Sequence, residues 1–411
     1  MKLLFVHQYL GALGGAEADI LLTAANLRER GYDLGLLFAA ETGRNPAPWH
    51  EAFSECFPLA ERGKGSIVRA VLDKVRPDLI YLNSMSDLET LEALFASGVP
   101  VIRRVHDHGM YCMRGYKYNY FTRNICTRPA GLHCVFPCMA FAGRNRGGAF
   151  PVKWVSYAAK RKEIRLNRQS HRLIVYSLYQ KEELVRNGFD RNRIDIHVPI
   201  RCWGTTGPVC SLSDRNLVLF AGQIIRGKGV DLLLRALARV TVRFEGLILG
   251  DGNHRADCER LCARLGLSGR VEFRGYIPHS QLKEFLLEAS LLAVPSVWPE
   301  PFALIGQEAM RYGLPVVAFD AGGIREWLKD GENGFLVPWM DTVRLAARIE
   351  ELLRDKALAR RLGRRGMELV NAEYDASKQI DALERIFAQA ARGTRNSFGE
   401  PAAPEPASFP L

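Results

Sequence analysis

No stretch of the 411 residues approaches the roughly 18 consecutive apolar positions that a membrane-spanning helix needs. No secretory signal is expected either. The apolar run Leu3-Leu4-Phe5-Val6 is broken at once by His7-Gln8, and no cleavage-site pattern follows it. The expected location is the cytosol. Acidic residues are in short supply, 45 against 56 Lys plus Arg, which leaves a formal charge of +11. That excess suits an anionic partner: nucleic acid, an anionic membrane face or a phosphorylated substrate. With 47% hydrophobic and 25% charged residues, the composition excludes a disordered, collagen-like or coiled-coil chain. A length of 411 residues points to two or three domains with full-sized cores.

What is present is an alternation of short apolar strands with helices. Strands are expected at Lys2–His7, Leu34–Ala39, Leu79–Asn83 and Val99–Val105, separated by helical segments, the first running from Ala16 to about Arg30 and stopping at Gly31. The rhythm breaks from His106 to about Gln169 and resumes with strands Arg172–Tyr176 and Arg193–Val198. Residues 199–214 lack periodicity and read as a linker. A second alternation follows, with strands Leu217–Phe220, Phe244–Leu249, Val271–Phe273, Leu291–Val294 and Val316–Phe319, then helical sequence from Asp341 to about Ala390. Such alternation implies two doubly wound α/β domains, 1–204 and 205–375, each a parallel sheet covered on both faces. Residues 392–411, rich in Pro, Gly, Ser and Ala, are expected to be disordered.

The densest chemistry lies in Pro299-Glu300-Pro301-Phe302-Ala303-Leu304-Ile305-Gly306-Gln307-Glu308. Pro301 suits a first helical position, so the free amides of Phe302, Ala303 and Leu304 would form an anion-binding helix N-terminus. Glu308 would lie roughly 12 Å along that helix from Glu300. Two carboxylates bracketing a phosphate site could hold sugar hydroxyls on either side of a diphosphate. A helix N-cap at Glu300 and a solvated face at Glu308 is the plain alternative.

This block, continued by Glu308-Ala309-Met310 and Gly313-Leu314-Pro315, resembles the retaining glycosyltransferases of family 4. Those are enzymes of the GT-B architecture, two Rossmann-like domains facing across a cleft. Further segments are similar to that family: Gly14-Gly15-Ala16-Glu17, Gly222-Gln223-Ile224-Ile225-Arg226-Gly227-Lys228-Gly229, Gly250-Asp251-Gly252 and Ala321-Gly322-Gly323 with Glu326. The resemblance implies that Glu308 holds the ribose of a nucleotide sugar and Glu300 the donor sugar. It implies that Lys228 neutralises the departing diphosphate. Gly14 and Gly15 would let backbone approach that diphosphate, and Phe302, Ala303 and Leu304 would offer amides. His106, at a strand end beside Asp107, would contact the donor sugar from the other domain. Two departures stand out. Gln223 replaces the usual Arg and supplies no charge, with Arg226 placed to compensate. Ala303 replaces the usual Gly. The residues 376–391 would cross back to the first domain as a final helix.

Four of the nine cysteines, Cys112, Cys126, Cys134 and Cys138, fall within 27 residues, where even spacing would place fewer than one. A structural zinc, with His133 able to replace one thiolate, reduced thiols packing an insert, and disulfides are all open readings. The basic stretch 144–172 carries nine Lys or Arg against Glu163 alone and could lie on an anionic membrane surface, or form a solvated helix face. No nucleic-acid motif accompanies it.

The resulting expectation is a cytoplasmic enzyme, peripheral on the inner membrane face at most. It would transfer a hexosyl group from a UDP-, GDP- or ADP-sugar, with retention and without a metal ion, to a glycan or lipid-linked acceptor of cell-surface polysaccharide assembly. A nucleotide-sugar epimerase and a non-catalytic nucleotide-sugar-binding scaffold are the alternatives.

Overall fold

A computed structural model describes residues 1–11, 14–119, 122–144, 152–199, 209–210, 212 and 215–396. The first domain is built on β1 (Lys2–Leu10), β2 (Asp33–Glu41), β3 (Glu55–Pro58), β4 (Leu79–Leu82) and β5 (Val101–Arg104). After a small antiparallel hairpin, β6 (Ala142–Arg144) with β7 (Val152–Trp154), it continues with β8 (Arg172–Val175) and β9 (Ile194–Ile196). The seven strands run in the order β3-β2-β1-β4-β5-β8-β9, all parallel.

The second sheet is built from β10 (Leu217–Ala221), β11 (Glu245–Leu249), β12 (Val271–Gly275), β13 (Leu291–Val294), β14 (Val316–Phe319) and β15 (Gly334–Val337). Its order, β12-β11-β10-β13-β14-β15, is again parallel throughout. Each sheet therefore reverses its winding beside its first strand, β1 or β10. Ligands of doubly wound sheets bind at the carboxyl ends of the strands at that reversal.

Strand parity explains the double cover. Leu3 and Phe5 of β1 enter one core with Leu34, Leu36 and Tyr81, while Leu4 and Val6 enter another with Leu37, Ile80 and Leu82. Successive strand residues point to opposite faces, so each strand serves two cores.

The final helix, Ala376–Asn396, packs on the first of those faces: Ile380, Leu383, Ile386 and Phe387 join the Leu3–Phe5 core, and Phe387 meets Tyr81 edge-on at 5.2 Å. Arg30 reaches Asp381 at 2.5 Å and Glu384 at 2.6 Å from the neighbouring helix Gly15–Glu29. Under this helix, buried His197 contacts the Gln379 carbonyl at 2.8 Å through Nε2.

Several boundaries differ from the sequence reading. β1 continues past His7-Gln8 to Leu10, because His7 is buried, stacked on Trp49 at 6.2 Å and 3.4 Å from Glu17. The helical run after Asp341 is three helices, Thr342–Arg354, Lys356–Glu373 and Ala376–Asn396, interrupted where the Asp355 carboxylate caps Leu358 N–H. The last of these extends through residues 392–396, which the sequence reading gave to a disordered tail; residues 397–411 lie outside the described residues. Most of the linker, 200–208 with 211 and 213–214, lies outside them too, whereas Cys210 is already fastened to the second domain by its amide on the Tyr312 carbonyl at 2.7 Å.

Burial, followed by the nearby Arg104 charge, pushes the His197 imidazole down to about 4. The unfolded chain takes up this proton near pH 6.5, so the stabilisation is present above that pH and is lost as pH falls towards 4. Between pH 7 and pH 5 this group should remove about 2 kcal/mol. Urea unfolding at both pH values, with His197→Asn as the reference, checks this: the variant should lose less stability on acidification than the wild type.

Candidate functional site

Three segments converge where the two sheets present their carboxyl ends. The first is the loop after β10. Gly222 turns out of the strand at φ 155°, a short 3-10 turn spans Arg226–Lys228, and Gly229 at φ 69° starts helix Val230–Leu237. A Cβ at Gly229 would lie 1.9 Å from the Pro295 carbonyl oxygen, so only glycine permits this approach. The second segment is the loop from Pro295 to Ala303 after β13. Val297 and Trp298 donate their amides to the Gly227 carbonyl at 2.8 and 3.1 Å, which joins the two loops. The third is Ala321–Gly323, whose Gly323 amide donates to the Glu300 carbonyl at 2.7 Å.

Glu300 sits where the three meet, with only 3% of its surface exposed. Its Oε1 accepts from Lys228 Nζ at 2.6 Å and from Ser296 Oγ at 2.5 Å. Lys228 Nζ also lies 4.9 Å from the centre of the Trp298 ring. A buried carboxylate requires such partners, because losing water without replacing it costs several kcal/mol. Glu300 is therefore no helix cap.

The helix itself starts later than expected, at Leu304 and not beside Pro301. Ala303 is its N-cap in the left-handed region, φ 60°, and this explains why glycine suits the position: an L-residue is disfavoured there. The free amides of its first turn accordingly begin at Ala303 and Leu304. The Phe302 carbonyl accepts from Trp327 Nε1 at 2.6 Å, which fixes the entry to the helix. Glu308 is buried on this helix, with Oε1 3.2 Å from Nε2 of the exposed His279. His279 carries no motif in the sequence, and only the fold brings it here. Gln223 is exposed on the loop after β10, and the Arg226 charge of the same loop acts on the Tyr118 hydroxyl.

From the first domain, helix Gly15–Glu29 begins at the carboxyl end of β1. A Cβ on Gly15 would lie 3.6 Å from Leu304 Cδ1, so the N-termini of two helices from two domains meet here. Gly14 is the N-cap of its helix in extended conformation. His106 follows β5 with Nδ1 2.5 Å from the Tyr176 hydroxyl and Nε2 2.9 Å from Asn83 Oδ1. Burial first, then the Arg104 charge, holds this imidazole well below its ordinary range, so it is neutral at pH 7. The Tyr176 hydroxyl also reaches Asp19 at 3.0 Å, and its ring stacks 6.4 Å from Phe302.

Sequence reasoning assigned nothing to His108, yet it is fully buried and spans the seam. Its Nε2–H donates to the Pro299 carbonyl at 2.7 Å, while Nδ1 accepts from the Tyr111 hydroxyl at 2.6 Å. Glu326 closes the seam from the other side, its carboxylate accepting from Leu178 N–H at 2.7 Å and Tyr179 N–H at 2.8 Å. A carboxylate at a helix N-terminus is favourable, and here it caps a helix of the opposite domain.

The four clustered cysteines lie near one another in the insert, Cys134 and Cys138 within its small core. Among the described residues all cysteines are free thiols, and no three of His, Cys, Asp and Glu lie close enough to hold a metal ion. Cys138 Sγ accepts from Arg114 Nε at 3.3 Å, and burial pushes the Cys134 thiol up. Cys134 Sγ also lies 3.6 Å from His133 Nε2, and Cys112, Cys138 and Cys126 act electrostatically on its thiol. The insert carrying them fastens both domains: Arg123 pairs with Asp231 at 2.6 Å, and Tyr116 lies 5.6 Å from the Trp298 ring. Of the basic stretch 144–172, residues 145–151 lie outside the described residues. In its helix Tyr157–Asn167, Lys160 pairs with Glu163 and Lys162 with Glu92. No helix among the described residues is long and apolar enough to cross a membrane.

Residues 13–197 match the family Glycosyltransferase Family 4, and residues 211–369 match Glycosyl transferases group 1. The chain is 33% identical over 179 residues to the alpha-D-kanosaminyltransferase of Streptomyces kanamyceticus, covering 43% of this chain and 46% of that relative. It is 29% identical over 417 residues to the D-inositol 3-phosphate glycosyltransferase of Mycolicibacterium smegmatis, covering 96% of this chain and 90% of the relative. Among the first relatives matched, the chain spans about half or less of their own length, 46%, 37% and 51%. Its fold is similar to that of Anabaena HepE, solved in complex with UDP and glucose, with TM-score 0.73, 19% identity, and coverage of 95% of this chain and 100% of that one. Sucrose-phosphate synthase of Thermosynechococcus elongatus gives TM-score 0.71 at 19% identity, covering 95% and 99%.

The left-handed N-cap yields a direct test. Ala303→Gly should raise the free energy of unfolding by about 1 kcal/mol. An unchanged or lowered urea midpoint would show that the backbone is not under strain there.

Proposed function

The chain belongs to the family 4, group 1 glycosyltransferases, and on that premise we propose that it moves a hexosyl group from a nucleoside diphosphate sugar to a glycan or lipid-linked acceptor of cell-surface polysaccharide assembly, with retention at the anomeric carbon. The observation that carries this reading is the buried Glu300–Lys228 pair at the entry to helix Leu304–Arg311, with Glu308 buried further along the same helix. A relative of the same fold that is solved with UDP and glucose adds support for a nucleoside diphosphate.

Each residue then has a defined task. Glu308 accepts from the ribose hydroxyls, with His279 beside it closing the same pocket. Glu300 accepts from hydroxyls of the donor sugar. The diphosphate lies between the helix N-termini at Gly15 and Leu304, whose partial positive charge favours it. Lys228, half-buried against Trp298, is shared between Glu300 and the phosphate and stabilises the charge that grows there as the glycosidic bond breaks. Retention follows when the acceptor oxygen bonds to the anomeric carbon on the face the phosphate leaves, and the departing phosphate oxygen takes the acceptor proton. His106 is neutral and contributes no charge; it orients the sugar by exchanging Asn83 for a sugar hydroxyl. Closure of the domains excludes water that would hydrolyse the donor.

Thermal unfolding with UDP, GDP and ADP tests the donor site. A ligand at ~100 times its dissociation constant stabilises by about 2.7 kcal/mol. One of the three should raise the midpoint, and Glu308→Ala should weaken that binding roughly tenfold, the equivalent of losing one good hydrogen bond. Lys228→Ala should lower turnover about 10²–10³-fold. Nucleotide release that an acceptor does not stimulate would favour an epimerase, and no nucleotide binding at all would favour a scaffold.

A further inference from the structure

From residue 108 to residue 162 the chain has ten Lys or Arg and no Asp or Glu at all. No element of an ordinary soluble surface needs 55 residues without an acid. Those of its cations that are ion-paired draw their acids from outside this segment: Lys117 from Glu183, Arg123 from Asp231, Lys160 from Glu163 and Lys162 from Glu92.

The same segment builds a small apolar knuckle. Its inside is a satellite core of Met113, Cys134 and Ala140, with Cys138, Phe141, Val155 and Tyr157 packed around it. Its outside is formed by Leu132, Phe136, Met139 and Trp154, which remain 76%, 79%, 52% and 78% exposed. These are four of the twelve large apolar side chains exposed among the described residues, gathered on one unit. Local bonds make that unit rigid: Phe136 N–H to the Leu132 carbonyl at 3.1 Å, Met139 N–H to Val135 at 3.1 Å and Val155 N–H to Phe141 at 2.7 Å. The Trp154 indole is stacked on Phe141 at 5.6 Å and 7° from parallel. Arg114 donates to the Cys138 carbonyl and sulfur, which sets a guanidinium between Phe136 and Met139 in the chain, and Arg128 is exposed just before Leu132.

We propose that this knuckle is a membrane-docking surface, with Leu132, Phe136, Met139 and Trp154 entering the headgroup region of an anionic bilayer while the surrounding cations meet its lipids. Exposed aromatic and aliphatic tips set in a cationic surround are the chemistry of interfacial insertion. An acid-free segment is drawn to a negative leaflet, each basic residue near the surface adding to the attraction. A protein partner would have to bring its own acids to the same place, whereas an anionic leaflet offers negative charge beneath an apolar layer, which matches both halves of the surface. The same insert touches Trp298 and Asp231, so docking brings the bilayer near the domain that carries the donor site.

Flotation of the full chain with vesicles, without donor or acceptor, tests the surface independently of glycosyl transfer. The wild type should float with phosphatidylcholine vesicles containing 30% phosphatidylglycerol in ~0.1 M salt, and at least about tenfold less with pure phosphatidylcholine or in ~1 M salt. Leu132→Ser with Phe136→Ser, and separately Trp154→Ser, should each reduce binding at least about tenfold while leaving the ligand-free thermal midpoint unchanged. Failure of the wild type to float, or equal flotation by both folded variants, would overturn the proposal.

Discussion

Burying Glu300 strips water from a carboxylate at the point where three loops meet, and the arrangement around it is the answer to that demand. Lys228 supplies the charge and Ser296 a hydroxyl, so the loop after β10 and the loop after β13 are committed to one another. Removing one partner of such a pair leaves a stranded charge, at a cost of ~3–5 kcal/mol. Glycines make the approach feasible. A Cβ on Gly322 would fall 2.4 Å from the Glu300 carbonyl oxygen, and one on Gly229 would collide with Pro295. The pair is also where binding energy can be redirected, since a lysine already half-desolvated against Trp298 needs little rearrangement to meet a phosphate.

The first domain reaches this centre through a few directional contacts. His108 bonds the carbonyl just before Glu300, Glu326 caps helix Leu178–Arg186 of the opposite domain, and Arg123 pairs with Asp231. Gly323 belongs to the same seam, for a Cβ there would lie 2.9 Å from Ser177. Hydrogen bonds and ion pairs of this kind fix a register between the domains, with Tyr176 of the first packed into the core of the second beside Phe302. The Cys-rich insert adds a second tie, with Tyr118 buried in the core of the second domain.

Much of this was legible in residue order because parallel strands buried on both faces are short, continuous apolar runs. β13 and β14 were read from sequence at their observed limits, and β10 within one residue. Edge elements were not. Helix Ala47–Ala52 and β3, Glu55–Pro58, are too short and too exposed to carry a period. Within the site, motif spacing singled out Glu300, Lys228 and Glu308, which lie on elements close in sequence to a helix start. His108, His279, Tyr176 and Asp19 could not be found that way, because their partners lie 29 to 191 residues away and only the sheet order brings them together. The late start of helix Leu304–Arg311 has a local cause: a left-handed Ala303 is invisible to propensity, which favours alanine inside a helix.

The most direct test compares the nucleoside diphosphate that binds with its monophosphate, by calorimetric titration of the wild type and of Lys228→Met. If Lys228 is shared between Glu300 and the diphosphate, the wild type should prefer the diphosphate by about tenfold or more, as a charge-assisted contact to the second phosphate provides. The preference should fall to about threefold or less in the variant. An undiminished preference in folded Lys228→Met would contradict the account, because the second phosphate would then be held without the residue on which the cradle depends.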